Sequence, residues 1–154
     1  PVATDLRFIM ALRKINIDLE RIGDHAYGIS KYVVDEEVNF DSTLINALKM
    51  EKMYATIESM FDDITSAYEN ELSLDARKVF KKDKSLDKLH YASFDVLESA
   101  IKKDNQIIQQ ALRAFVVLKK FERVGDLLKN IAEELIFYRE AEQLKHKKKN
   151  KKKK

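Results

Sequence analysis

Apolar residues recur every three or four positions along most of the chain, and this spacing predicts four long helices. The first is predicted over about 4–34 and the last over about 106–144. Apolar positions in the first alternate between steps of three and four, at Leu12, Ile15, Leu19, Ile22, Ala26, Ile29 and Val33. Each has an apolar counterpart 102 residues later, at Ala114, Val117, Phe121, Val124, Leu128, Ile131 and Leu135. Because the match covers a whole helix, it indicates an internal duplication.

Two further helices are predicted between these copies. The second ends near residue 71, and the third covers about 74–103. Residues that favour helix N-caps mark the boundaries, at Asp41, Ser42 or Thr43, then at Ser73, then at Asp104 or Asn105. Long helices joined by short connections predict an all-α fold, an elongated antiparallel helical bundle.

Composition narrows the class of protein and of site. The chain has 154 residues, one Pro, three Gly and no Cys, so it has neither a disulfide framework nor a thiolate metal site. The last ten residues, 145–154, hold eight Lys, and without these the net charge of +3 becomes −5. This tail is predicted to be disordered, because it has almost no apolar surface to bury. It is either simply solvated or attracted to anionic lipid, nucleic acid or polyphosphate.

Three pairs of acidic residues at helical spacing are the candidate chemistry. Glu20 and Asp24 lie four residues apart, and the second copy repeats them as Glu122 and Asp126. Residues at this spacing share a helix face, with Cβ atoms about 5–6 Å apart. The repeated apolar positions given above form a seam along each of the two helices, and each acid pair begins one residue after a seam position, at the edge of the core stripe. For any single pair, a solvated helix face is the simpler interpretation.

The third pair interrupts the apolar stripe of the third helix. Asp83 and Asp87 lie where apolar residues are expected, and buried carboxylates must be paired, protonated or metal-bound. If the third and fourth helices pack antiparallel, this pair would face Glu122 and Asp126. Four oxygen donors would suit iron, manganese, magnesium, calcium or zinc.

Single residues near these pairs add weaker signals. The repeat contains a motif of Glu, Arg, an apolar residue, Gly and Asp, at 20–24 and at 122–126. Its glycines, Gly23 and Gly125, each lower helix stability by about 1 kcal/mol relative to Ala. They are predicted to admit a neighbouring helix or a group of ions. His90 follows Asp87 at the carboxylate–His spacing of di-iron bundles, but no second such pair is present, so a partly buried helix residue is the preferred interpretation.

Four segments of the chain resemble the PhoU family of phosphate-transport regulators. They are "PVATDLR" at 1–7, "INIDLERIGDHA" at 15–26, "ARKVFKKDKSLDKL" at 76–89 and "KKFERVGDLLKNIAEELIFY" at 119–138. The resemblance implies PhoU-like three-helix repeats, with 1–40 as the last helix of a first repeat and 41–144 as a second repeat. It also implies that the two opening helices of the first repeat are absent from this chain.

The resemblance further implies bound metal ions as a multinuclear iron or zinc cluster, with manganese or magnesium as alternatives. Asp83, Asp87, Glu122 and Asp126 would form the metal site of the second repeat, with Asn130 as a nearby ligand or hydrogen-bond donor. Glu20 and Asp24 would be half of a metal site in the first repeat. Their facing acids are missing unless another chain supplies them, and Gly28 replaces the Asn of the second copy.

The function implied by the resemblance is regulatory rather than enzymatic. Members of the family are negative regulators that couple a phosphate ABC transporter ATPase to a sensor histidine kinase. A cytoplasmic homodimer is expected, with no specific nucleic-acid partner and with membrane contact only through partners or the Lys tail. Two alternatives stay open: a cytoplasmic PhoU-like domain of a sodium–phosphate symporter, and a di-metal carboxylate redox enzyme. No Gly-rich phosphate loop or activated nucleophile is visible in the sequence.

Overall fold

The computed structural model describes the backbone of residues 2–35, 40–70 and 73–151, and the side chains of 5–34, 40–70 and 74–139. Over these residues the fold is all-α, as predicted, with no strands. The α-helices are α1 (Val2–Asp35), α2 (Ser42–Ala47), α3 (Met50–Glu69), α4 (Ser73–Lys103) and α5 (Ile108–Lys151). A 3₁₀ turn, Asn105–Ile107, joins α4 to α5.

Two predicted caps are confirmed by hydrogen bonds. The Asp41 carboxylate accepts a hydrogen bond from the Thr43 amide at 2.9 Å, at the start of α2. The Asp104 carboxylate accepts from the Gln106 amide at 2.9 Å, at the start of the 3₁₀ turn. Each carboxylate satisfies one of the amides that a helix start leaves without a partner, which is why the chain changes direction there.

The single helix predicted from the first cap to residue 71 is wrong, because the chain breaks between α2 and α3. Lys49 lies in the left-handed region, at φ 54° and ψ 37°. That conformation costs about 1–2 kcal/mol for a residue with a Cβ. The break allows Leu44 and Leu48 to be buried in the core, and burying each leucine contributes about 1.5–3 kcal/mol.

The long helices α3, α4 and α5 form a bundle in which α4 is antiparallel to both α3 and α5. Lys82 of α4 pairs with Asp63 of α3, and the Ser66 hydroxyl of α3 bonds to the Asp75 carboxylate of α4. The helix α5 packs against α1, α3 and α4, and it supplies more of the buried apolar residues than any other described helix. Its position in the middle is the reason that it carries apolar side chains on several sides.

The two repeated helices, α1 and α5, pack antiparallel. Lys14 forms an ion pair with Glu134, and the Lys120 ammonium lies close to Gly28. In both contacts the two residue numbers add to 148, so Gly23 lies about level with Gly125. These glycines are also repeat equivalents, and a local two-fold axis therefore passes between the two copies of the motif.

The predicted seam is buried in α5 but only partly in α1. Ile22 is buried, whereas Leu19 is 43% exposed and Val33 is 36% exposed. The side of α1 that meets α5 holds Ala11 and Asp18, both buried, so the packed stripe is displaced by one residue from the predicted seam. The seam itself borders an open groove between α1, α3 and α5.

The C-terminal helix is longer than predicted. The sequence predicts a disordered tail over 145–154, but α5 continues as helix to Lys151. Lysine is a favourable helix former and extends a helix that is already nucleated. Within the described residues, no helix is long and apolar enough to cross a membrane.

Candidate metal site between α4 and α5

Antiparallel packing of α4 on α5 brings two of the predicted acid pairs to one interface. Asp83 is buried, at 5% exposed, and the Lys129 ammonium donates to its Oδ2 at 3.0 Å. The same ammonium donates to Asp126 Oδ1 at 2.9 Å. Asp83 of α4 and Asp126 of α5 are thus joined through one cation that belongs to α5.

Gly125 allows the close approach of the two helices at this level. A Cβ at Gly125 would clash with Leu86 Cδ2 and would lie 3.9 Å from Asp83 Oδ1. Leu86 is fully buried and cannot move freely. The missing side chain therefore lets α4 place Asp83 against the backbone of α5, as the sequence interpretation of this glycine predicted.

The acids outnumber the cations that neutralise them. Glu122 accepts a hydrogen bond from Lys119 at 2.8 Å, while Lys129 serves both Asp83 and Asp126. Among the described residues, these three carboxylates and Asp87 pair with only two ammonium groups, so the acids exceed their cations by two.

The pKa values reflect this imbalance. Burial raises the pKa of Asp87, and the nearby carboxylate of Asp83 raises it further. Burial alone would lower the pKa of Lys129, but hydrogen bonds to Asp126 and Asp83 outweigh burial and raise the pKa above its ordinary value. Both directions are those expected where carboxylates outnumber the cations beside them.

The donor set suits a hard cation, but in this arrangement the acids hold an ammonium. Among the residues that the structure describes, no group of three or more His, Cys, Asp or Glu is placed to hold a metal ion. The Lys129 ammonium lies between Asp83 and Asp126 instead. Carboxylate oxygens around a cation are the ligands that iron, manganese and magnesium accept, so the residues fit, provided that Lys129 moves aside.

The first copy of the motif has different surroundings. Glu20 and Asp24 are exposed, and a Cβ at Gly23 would meet no atom of the described residues within 4 Å. Across the described residues no second acid pair completes a metal-holding group with them. The nearby ion pair joins Arg21 to the buried Asp18 at 3.5 Å.

His90 is a buried residue beside the acids. It is 5% exposed and packs against the rings of Phe94 and Phe115, with centroids 5.4 and 6.3 Å away. Its Nδ1 is buried and has no hydrogen-bond partner among the described residues. Burial lowers the pKa of His90, although the charges of Glu122 and Asp87 raise it in part.

Sequence reasoning missed the cations of the site. Lys129 and Lys119 were not singled out, although each lies three residues from a motif acid, Asp126 and Glu122, and so shares its helix face. Asp18 was also missed, since it is outside the apolar seam. The motif Asn, Asn130, is exposed.

Comparison with known proteins places these residues in a wider context. A family model described as the PhoU domain matches residues 1–33 and 50–135. The phosphate-specific transport system accessory protein PhoU homolog of Borreliella burgdorferi is 35% identical over 147 residues, which is 94% of this chain and 66% of that protein. The homolog of Clostridium acetobutylicum is 34% identical over 88% of this chain and 61% of its own length.

A solved structure is similar over most of the chain. The crystal structure of PhoU from Pseudomonas aeruginosa superposes with a TM-score of 0.80 at 28% identity, over 90% of this chain and 66% of that one. The chain therefore spans 61–66% of the length of these three relatives.

Proposed function

This chain belongs to the PhoU domain family, and from that premise we propose that it is a regulatory component of phosphate uptake. The observation that carries the proposal is the extent of the family match, which includes both copies of the acidic motif and the acid pair of α4. Relatives that share most of this chain are named accessory proteins of the phosphate-specific transport system.

The proposed role is non-catalytic and cytoplasmic. The protein would lower phosphate uptake and the phosphate-starvation response when phosphate is plentiful, through contacts with a transporter ATPase and a sensor histidine kinase. Support comes from the relatives' names and from a fold dominated by packed helices. A homodimer is part of the same proposal.

Deletion of the gene in its host tests the regulatory role. We expect phosphate-starvation genes to become active in phosphate-rich medium, measured as reporter activity, and to be repressed again by the wild-type gene. Repression that is unchanged after deletion would contradict the proposal.

Co-purification of the tagged protein with the transporter ATPase and the kinase tests the proposed partners, and a missing ATPase would exclude the coupling role.

We further propose that Asp83, Asp87, Glu122 and Asp126 bind metal ions, as a multinuclear iron or zinc cluster. The proposal is supported by the excess negative charge between α4 and α5 and by the raised pKa of Asp87. A bound cation would neutralise charge that Lys129 and Lys119 leave uncompensated. Glu20 and Asp24 would bind metal only if another chain supplied the facing acids.

Metal content of purified variants tests this site. We expect Asp87→Asn and Asp126→Asn to lose bound metal, while the control Asp95→Asn, an exposed residue on α4, retains it. Lys129→Met should retain or gain metal, because it removes the competing ammonium. Equal, near-zero metal content in all four variants and in the wild type, measured by elemental analysis after growth with iron and zinc, would rule out the proposed site.

A further inference from the structure

The helix α4 carries opposite charges on two faces. Asp83 and Asp87 lie toward α5, whereas Lys81 and Lys82 border a groove between α3 and α4. The groove has a volume of about 510 Å³. Apart from Ala55, it is lined by three lysines and three hydroxyl residues, namely Lys52, Lys81, Lys82, Thr56, Ser59 and Ser85. Neither the proposed regulatory role nor the metal site uses these residues.

One lysine of the groove is held in place and orients a hydroxyl. The Lys82 ammonium pairs with Asp63 Oδ2 at 2.6 Å and donates to the Ser59 carbonyl at 2.9 Å. It also donates to Ser59 Oγ. Its charge is therefore neutralised by Asp63, and because Ser59 Oγ accepts from Lys82, its own proton is available to donate to a ligand.

The other two lysines are uncompensated. Within the described residues, the ammonium groups of Lys52 and Lys81 form neither an ion pair nor a side-chain hydrogen bond. Lys52 comes from the α3 wall and Lys81 from the α4 wall, so two positive charges approach the groove from opposite sides. Ser85 adds a hydroxyl on the α4 wall.

We propose that this groove binds the phosphoryl group of a small soluble ligand. A phosphoryl group carries about two negative charges and three acceptor oxygens, which match two free ammonium groups and the hydroxyls of Ser59 and Ser85. A carboxylate carries one charge, and its two oxygens lie in one plane. The volume of the groove, about 510 Å³, is within the range of sites that hold small ligands.

Titration with pyrophosphate and with inorganic phosphate, in metal-free buffer at fixed ionic strength, tests the proposal by calorimetry. We expect saturable binding with one site per chain. Lys52→Gln and Lys81→Gln should each weaken binding about fivefold, and the double variant about 25-fold. Lys84→Gln is the matched control, because Lys84 is exposed on α4 but does not line the groove. All three lysines are at the surface, so the variants should keep the wild-type helix content by circular dichroism.

Several outcomes would overturn the proposal. Absence of saturable binding by the wild type would do so, as would a loss of affinity in Lys84→Gln equal to that in Lys52→Gln. Binding to phosphatidylcholine vesicles, measured with and without phosphatidylglycerol, tests whether the phosphoryl group belongs to a lipid rather than to a soluble ligand. If Lys52 and Lys81 are needed for binding to the anionic vesicles and neither free anion binds, the groove recognises a lipid surface, and the proposal of a soluble ligand is wrong. Metal-free conditions keep these results independent of the acids between α4 and α5 and of the regulatory role.

Discussion

The two motif glycines each follow an apolar residue and precede an Asp in the sequence, but their surroundings in space differ. Gly125 lies under Leu86 of α4, at the contact that brings Asp83 to α5. Gly23 borders open space. The same five-residue pattern therefore lies at a packed helix interface in α5 and on an open helix face in α1.

Alanine at the two glycines should have effects that differ in size and sign. Gly23→Ala should stabilise the chain, because alanine favours a helix by about 1 kcal/mol relative to glycine. Gly125→Ala gains the same propensity but forces its Cβ against Leu86, so the two variants should differ by about 1–3 kcal/mol. Urea unfolding followed by circular dichroism measures both, and equal stabilities would contradict the role assigned to Gly125.

His90 should make stability depend on pH. Its pKa is lowered by burial, so as the pH falls through about 6.5 the unfolded chain binds a proton that the folded chain does not. Stability contributed by neutral His90 is therefore present above that pH and lost below it. His90→Leu should be more stable by about 1 kcal/mol at pH 7, since it removes an unpartnered Nδ1, and it should lose less stability between pH 7 and 5.5. Parallel pH profiles for wild type and variant would refute this.

The sequence predicted which acids meet between α4 and α5, but it did not predict the cations that pair with them. A repeat and an interrupted apolar stripe are visible in one dimension, and they identified Asp83, Glu122 and Asp126. Lysines on helices are usually solvated, and this chain has 29 Lys and Arg residues. Only packing distinguishes Lys129, which bridges two acids, from Lys84, which is exposed.

At the scale of elements, the apolar period predicted which segments are helical but not how each one packs. The seam of α5 is buried because three helices surround it, while the identical period in α1 leaves Leu19 exposed. A period identifies a face of a helix, and the neighbours decide whether that face is covered. The break at Lys49 was missed because no Gly or Pro marks it.

Glycine at the break between α2 and α3 should stabilise the protein. Lys49 is the only described non-glycine residue with positive φ, and glycine adopts this conformation without steric cost. Lys49→Gly should raise the free energy of unfolding by about 0.5–1 kcal/mol. Lys49→Ala keeps a Cβ in the same conformation and is the matched control. If both variants have the same thermal midpoint, the left-handed conformation at this position is not costly.

At the scale of the whole molecule, the described chain has an uncovered apolar groove. Two cavities of about 380 Å³ each lie between α1, α3 and α5, and their lining is mainly apolar. The outer side of α1 adds exposed apolar residues such as Ile9, Ile17 and Tyr27. Contiguous apolar surface of this kind marks an interaction site in soluble proteins.

The groove should make this chain self-associate in solution. Leu19 borders it, and Leu19→Glu should lower the average mass measured by sedimentation at high protein concentration, because a carboxylate is costly to bury. Leu74→Glu, at an exposed leucine of α4, should leave the mass unchanged. A wild-type chain that stays monomeric at all concentrations, or an equal effect of both variants, would contradict this prediction.

The central position of α5 also sets an order of assembly. Its contacts with α4 span the short 3₁₀ connection, whereas its contacts with α1 require the closure of a loop of about 100 residues. Local contacts form faster than distant ones, so the α4–α5 hairpin should fold early and α1 should dock last. In the native state, the helix that docks last should be the first to open. The amides of α1 should therefore exchange with solvent at a lower opening free energy than those of α5. The acid pairs on α4 and α5 would then stay together while α1 opens and closes.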